Sequence, residues 1–268
     1  MPELNDSAYL LSKQYRDASN LNARIALHKQ FSTNTYDWFH WVFDHFDIPL
    51  VVRVLELGCG PANLWRKNLH RIPDGWDITL SDMSPGMMEK AQANLTDSVH
   101  PFLFLRIDAQ DIPFPDTSFD AVIANHMLYH VPNRELALSE IRRTLKLGGR
   151  FYATTVGDGH MAELRQWVAR FAGDKKHPLR GGNSPTFTLE NGAEQLSNWF
   201  EDVQVFSYED GLVVTETEPL MAYIRSMSSQ SELEEESNAE ISAFVDNEIT
   251  TRGSIYITKS SGLFSARN

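Results

Sequence analysis

The segment Val54-Leu55-Glu56-Leu57-Gly58-Cys59-Gly60-Pro61-Ala62-Asn63-Leu64 reads as an apolar strand that runs into two spaced glycines and then a helix. Glycine lacks a Cβ, so the backbone can turn sharply there and lie against a ligand at the C-terminal edge of a sheet. A tight strand-to-helix turn needs glycine even when nothing binds, so the turn alone leaves both readings open. It does argue against two ligand classes. A dinucleotide fingerprint wants a third glycine where Asn63 stands, and the lysine of a phosphate-binding loop is absent. Further polar residues then arrive at the ends of later apolar runs, namely Asp82-Met83, Asp108-Ala109 and Asn125. A carboxylate accepts two hydrogen bonds at once, so Asp82 could bind a ligand or cap the helix that starts near Pro85, and both can be true.

Histidine titrates near neutral pH and can bind a polar group or accept its proton, which makes His126 and His130, in Asn125-His126-Met127-Leu128-Tyr129-His130, candidate catalytic residues. The plainer role for His130 is a packed residue that holds its loop. His28, with Tyr15 and Arg24, lies in an N-terminal helical stretch; an arginine or tyrosine there suits a carboxylate, and the alternative is an exposed helix face. Trp38, Phe39, Trp41 and Phe43 suit an apolar pocket, although packing against a sheet is the commoner use of such residues.

The elements that position these residues alternate. Strand patterns cover Val51 to Leu57, Asp77 to Ser81, Phe102 to Ile107, Ala121 to Asn125 and Arg150 to Thr155, with helical stretches near Ala62 to Leu69, Gly86 to Leu95 and Arg134 to Leu145. This order predicts an α/β fold, a doubly wound, mostly parallel Rossmann-like sheet with helices on both faces. Residues 1–47 read as an N-terminal helical cap, with turn and N-cap chemistry in Ser32-Thr33-Asn34-Thr35, and 48–268 as the main domain. Beyond Thr155, helices are expected over 160–172, 189–199, 218–227 and 232–250, with a loop across 175–185. The helical insertion at about 216–250 is expected to form a lid. Val203 to Tyr208 reads as a strand, and Ile255 to Thr258 with Leu263-Phe264 as a hairpin completing the sheet.

Composition narrows the partners. The chain has 268 residues and a net charge of -12, and 13 acids against one base fall between residues 201 and 250, so the remainder is neutral. A protein that grips nucleic acid usually carries a basic face, which makes that substrate unlikely here. No apolar run approaches the roughly 20 residues of a membrane-spanning helix, and the start of the chain lacks a signal pattern, so a cytoplasmic location is expected. Cys59, the single cysteine, leaves no thiol cluster for a metal, and no metal site is expected.

Taken in order, these residues resemble the class I S-adenosylmethionine-dependent methyltransferases over roughly residues 50–156. Glu56 stands two residues before the first glycine, Asp82 where the family holds both ribose hydroxyls, and Asp108-Ala109-Gln110 where it holds adenine. Ile112-Pro113-Phe114-Pro115-Asp116 and Ser118-Phe119-Asp120-Ala121-Val122 match a stretch frequent in members acting on small molecules, and Leu145-Lys146-Leu147-Gly148-Gly149-Arg150-Phe151 matches the family's helix end and turn into the fifth strand. The resemblance implies S-adenosyl-L-methionine as cofactor, bound by Glu56, Gly58, Gly60, Asp82, Met83, Asp108, Ala109 and Asn125. It further implies direct in-line methyl displacement onto a small-molecule acceptor. Ala62 departs from the family, standing where many relatives carry a further glycine. The rival readings are transfer to tRNA or protein, a non-catalytic S-adenosylmethionine-binding module, and a nicotinamide oxidoreductase, to which Asn63 is the main objection.

Overall fold

A computed structural model describes residues 19–171, 187–227 and 235–268. The first strand, β1 (Val52–Leu57), is followed by α3 (Asn63–Asn68), β2 (Trp76–Ser81), α4 (Pro85–Asn94), β3 (Phe102–Leu105) and β4 (Phe119–Asn125). Then come α5 (Arg134–Thr144), β5 (Leu145–Val156), α6 (Ala162–Phe171), α7 (Gly192–Ser197) and β6 (Glu201–Tyr208). Ahead of β1 lie α1 (Ser19–Phe31) and α2 (Trp38–Asp44). After β6 come β7 (Gly211–Val214), α8 (Thr217–Met227), α9 (Glu235–Arg252), β8 (Ile255–Thr258) and β9 (Ser261–Arg267).

Seven strands form one sheet in the order β3-β2-β1-β4-β5-β9-β6. β3, β2, β1, β4 and β5 are parallel, and β9 enters antiparallel between β5 and β6. The inner parallel strands are buried on both faces, whereas β3, at the sheet edge, leaves Leu103 exposed: Leu55 and Leu57 of β1 enter one core with Ala137, Leu138 and Ile141 of α5, while Val52 and Val54 enter another with Leu64 and Trp65 of α3. This is why the strands read as nearly continuous apolar runs. The helices stop and start where their caps dictate. The Ser84 side chain accepts from Met87 N ahead of Pro85 at α4, and Asn133 accepts from Leu136 N at α5. Ser84 therefore takes the N-cap role considered for Asp82.

A third core lies beyond the parallel strands. Leu27 and Phe31 of α1, Leu220 and Ile224 of α8, Ile241 and Val245 of α9, and Leu212 and Ile257 of β7 and β8 share it. Although α1 and α2 are neighbours in sequence, α2 instead joins the sheet through Val42 and Phe43. The expected hairpin needs correction: β9 joins the main sheet, but β8 pairs with β7 in a separate two-stranded sheet. β7 itself was unanticipated, because four residues that bury Leu212 and Val214 and half-expose Val213 give too short an alternation to stand out. The expected cap in residues 32–35 is also replaced. Asp37 caps α2, while Ser32 Oγ, Thr33 Oγ1 and Asn34 N donate to Asp210.

The loop expected over 175–185 and Tyr15 lie outside the described residues. Among those described, no helix is long and apolar enough to cross a membrane. Leu27 is fully buried between α1 and its partners. Leu27→Ala should cost about 2–5 kcal/mol of stability, the usual penalty of a core cavity, read as a lower urea midpoint; an unchanged midpoint would mean that α1 is not docked.

Candidate active site

The C-terminal ends of β1, β2 and β4 meet around the glycine turn, where an open α/β sheet leaves a crevice. Gly58 and Gly60 both sit at left-handed φ, +67° and +54°. A Cβ on Gly58 would come within 2.8 Å of the Met127 side chain, whereas one on Gly60 would meet nothing within 4 Å. Gly58 is thus required by close packing against the loop after β4, and Gly60 by its backbone conformation beside open space. Ala62 also adopts a left-handed conformation, φ 57° and ψ 36°, and is fully buried. This accounts for the glycine common at that position and for the modest strain that alanine bears here.

Glu56, at 2% exposure, is the centre of the arrangement. Its two carboxylate oxygens accept from Trp65 Nε1 at 2.5 Å and Asn125 Nδ2 at 2.8 Å, and Thr154 Oγ1 in turn donates to Asn125 Oδ1 at 3.2 Å. Loss of solvent pushes the Glu56 carboxyl up to about 7, and the two hydrogen bonds offset this only in part. Asp82 accepts one backbone N–H on each oxygen, from Gly60 at 3.0 Å and Ser84 at 2.8 Å. Burial raises its carboxyl as well, against those two bonds. Each oxygen retains further lone-pair capacity, which fits a pair of ribose hydroxyls. Asp108 is turned onto Gln110, accepting from its backbone N at 2.9 Å and its side-chain amide at 3.1 Å.

Glu56, Gly58, Gly60, Asp82, Asp108 and Asn125 line one cavity of about 1370 Å³ that also takes in Met83, Ala109, His28, His126 and His130. The residues that the resemblance assigns to the cofactor and the three candidate catalytic histidines therefore line the same space, whereas Trp41 and Phe43 do not. Drug-sized ligand pockets run to about 300–1,000 Å³, so the space is large enough for a nucleoside and a second molecule. Its far end holds Trp38 and four residues that the sequence did not point to: His160, Tyr208, Tyr223 and Lys259. His160 follows a Gly-Asp-Gly turn after β5, a weak signal, and Lys259 has none. Trp38 packs against His126 with ring centroids 5.4 Å apart, so part of the aromatic run does face the cavity, while Phe43 is buried in a core. His126 has φ +49°, a conformation that non-glycine residues rarely keep. Desolvation lowers His126 to about 4, helped by His130 and Lys259, and lowers His28 to about 3, helped first by Lys259. Cys59 is buried and its thiol is held well above its ordinary value, so it stays protonated.

Comparison with known proteins agrees with this geometry. Residues 55–153, from β1 through most of β5, match the family described as a methyltransferase domain. The ubiquinone/menaquinone biosynthesis C-methyltransferase UbiE of Shewanella sp. (strain W3-18-1) is 30% identical over 101 residues, 37% of this chain and 40% of that protein. The match thus spans less than half of that relative's length. Two solved structures share the fold: the YcgJ protein of Bacillus subtilis, with TM-score 0.59 and 16% identity over 86% of this chain and 97% of its own; and phosphoethanolamine N-methyltransferase 2 of Haemonchus contortus, in complex with S-adenosyl-L-methionine, with TM-score 0.59 and 17% identity over 100% of this chain and 60% of its own.

Two outcomes follow. Gly58→Val should weaken S-adenosylmethionine binding at least tenfold by calorimetry, because the new side chain collides with Met127; unchanged affinity would remove the glycine turn from the site. Glu56 has a folded pKa above its ordinary 4.5, so its contribution to stability is present below 4.5 and is lost as pH rises through about 7. A cation entering beside it favours the ionised form. Titration at about pH 7 in buffers of different ionisation enthalpy should therefore show proton release on binding, absent in Glu56→Gln; identical proton release in both proteins would contradict this role.

Proposed function

We propose that the protein transfers a methyl group from S-adenosyl-L-methionine to a small-molecule acceptor by direct in-line displacement. The observation that carries this reading is the single cavity joining the glycine turn, Asp82 and Asp108 to a wall of aromatic and histidine side chains. The sulfonium, when bound, supplies an electrophilic methyl carbon and a good leaving group. The chain's own part is therefore mainly alignment and exclusion of water.

Asp82 would accept from the ribose hydroxyls, and Asp108 with the Ala109 backbone would meet adenine. Gly60 lets the backbone approach, and Glu56 and Asn125 hold the β1 and β4 ends at fixed separation. Helix α1 lies over the far end of the cavity. It is held to α8 by Arg24, whose Nε and Nη2 donate to Ser226 Oγ at 3.1 Å and Ser226 O at 2.6 Å. Residues 1–47 and the insertion at 216–250 would together act as a cap and lid that define acceptor choice. An acceptor site roofed by helices favours a small molecule over a tRNA or protein side chain, which would need an open groove.

The test is incubation with cofactor carrying an isotopically labelled methyl group and a cell extract, followed by mass spectrometry of separate metabolite and macromolecule fractions. Label is expected in a metabolite and is expected to fall at least tenfold with Asp82→Ala. Label confined to RNA or protein would overturn the small-molecule reading. Cofactor binding without any labelled product would point to the non-catalytic module.

A further inference from the structure

Three imidazoles reach the far end of the cavity from three segments: His28 from α1, His126 from the end of β4 and His160 from the turn after β5. The His28 ring lies 6.2 Å from that of His160 and meets Tyr223 edge-on at 5.8 Å. His160 Nδ1 accepts from Ser260 N at 3.3 Å, so in neutral His160 the proton sits on Nε2. His28 Nδ1 differs. It is withdrawn from solvent and has no hydrogen-bond partner. In the tautomer that carries its proton on Nε2, this atom is a buried acceptor whose desolvation penalty a bound donor would remove.

The charges around this group have one sign bias. Lys259 faces it from the β8–β9 turn and Arg24 from α1, while Asp210, from the β6–β7 turn, is bound to Lys259. Lys259 Nζ also donates to Ser32 Oγ at 3.1 Å. Among the described residues, the carboxylates lining the cavity are Asp37, Glu56, Asp82 and Asp108. The last three belong to the glycine-turn end, and Asp37 is occupied by Lys67 and Phe39 N. Among the described residues, the one carboxylate that acts on His28, Asp210, is already taken by Lys259, so none is left to neutralise a cationic acceptor there. Its walls are flat rings: Trp38, Tyr208 and Tyr223.

We infer that the acceptor is an aromatic or otherwise conjugated molecule with an acidic hydroxyl, a phenol or enol, and that this hydroxyl donates to His28 Nδ1. The inference rests on the methyltransferase reading for the word acceptor, but the binding chemistry stands apart from it. Lys259 and Arg24 favour electron density on the hydroxyl oxygen and repel an ammonium group, and the rings exclude water from the bond.

The test is calorimetric titration of the full chain with 4-nitrophenol, nitrobenzene and 4-nitrobenzylamine, each in the presence of saturating S-adenosylhomocysteine and at a mildly acidic pH at which 4-nitrophenol keeps its proton. 4-Nitrophenol is expected to bind about tenfold more tightly than nitrobenzene, the effect of one satisfied buried hydrogen bond, and more tightly than the amine. In His28→Phe, which keeps a ring but removes the nitrogen, the preference for the phenol over nitrobenzene should disappear. Equal binding of phenol and nitrobenzene to the wild-type protein would overturn the inference, as would tighter binding of the amine, no binding of the phenol, or a preference that survives in His28→Phe. The wild-type comparison needs no variant to fold. Titration of S-adenosylhomocysteine alone separates the two readings: if the nucleoside binds and the phenol does not, only this inference fails; if the nucleoside does not bind, the methyltransferase reading fails.

Discussion

The buried carboxylate of Glu56 holds the site together. It takes a hydrogen bond from the indole of Trp65 on α3 and another from the amide of Asn125 at the end of β4, so one side chain fixes the first helix and two neighbouring strand ends around the glycine turn. A charge or acid so far from solvent is tolerated only when its oxygens are satisfied, and both are. Everything that faces the crevice is placed relative to this point. Gly58 packs under Met127 on one side, and Gly60 donates its N–H to Asp82 on the other, so β2 is joined to the same cluster.

The parallel half of the fold was legible because its physics is local. Strands buried on both faces must be continuously apolar, the turn after β1 must contain glycine, and the order of polar residues at strand ends follows from the alternation of strand and helix. The residues proposed to hold the methyl donor come from that half. What was not legible belongs to long-range pairing. β7 and β8 lie more than 40 residues apart in sequence, and neither is long enough to declare its partner. Lys259 gains its place only because Asp210 and Ser32 arrive from two other segments to meet it. The hydroxyls of residues 32 and 33 suited a helix cap by sequence, yet satisfying a carboxylate with no exposed side-chain surface took precedence.

This division has a functional counterpart. The two sheet cores build the donor half of the cavity, whereas the third core, shared by α1, α6, α8, α9 and the small sheet, supplies or supports much of the other half. Among the described residues, the acids of α8 and α9 lie largely on the outer faces of that unit: α9 buries Ile241 and Val245 and turns Glu235, Glu236 and Glu240 to solvent. These acids therefore carry their charge on the outside, while the histidine end of the cavity has Arg24 and the Lys259–Asp210 pair as its described charged neighbours.

The central claim is that the crevice around Glu56, Gly60 and Asp82 receives the nucleoside of the methyl donor. A crystal structure determined with S-adenosylhomocysteine tests it most directly. The account predicts the ribose hydroxyls within hydrogen-bond distance of the Asp82 carboxylate, with the adenine beside Asp108 and Ala109. A nucleoside found elsewhere, or an Asp82 carboxylate with no ligand contact in a fully occupied complex, would contradict it.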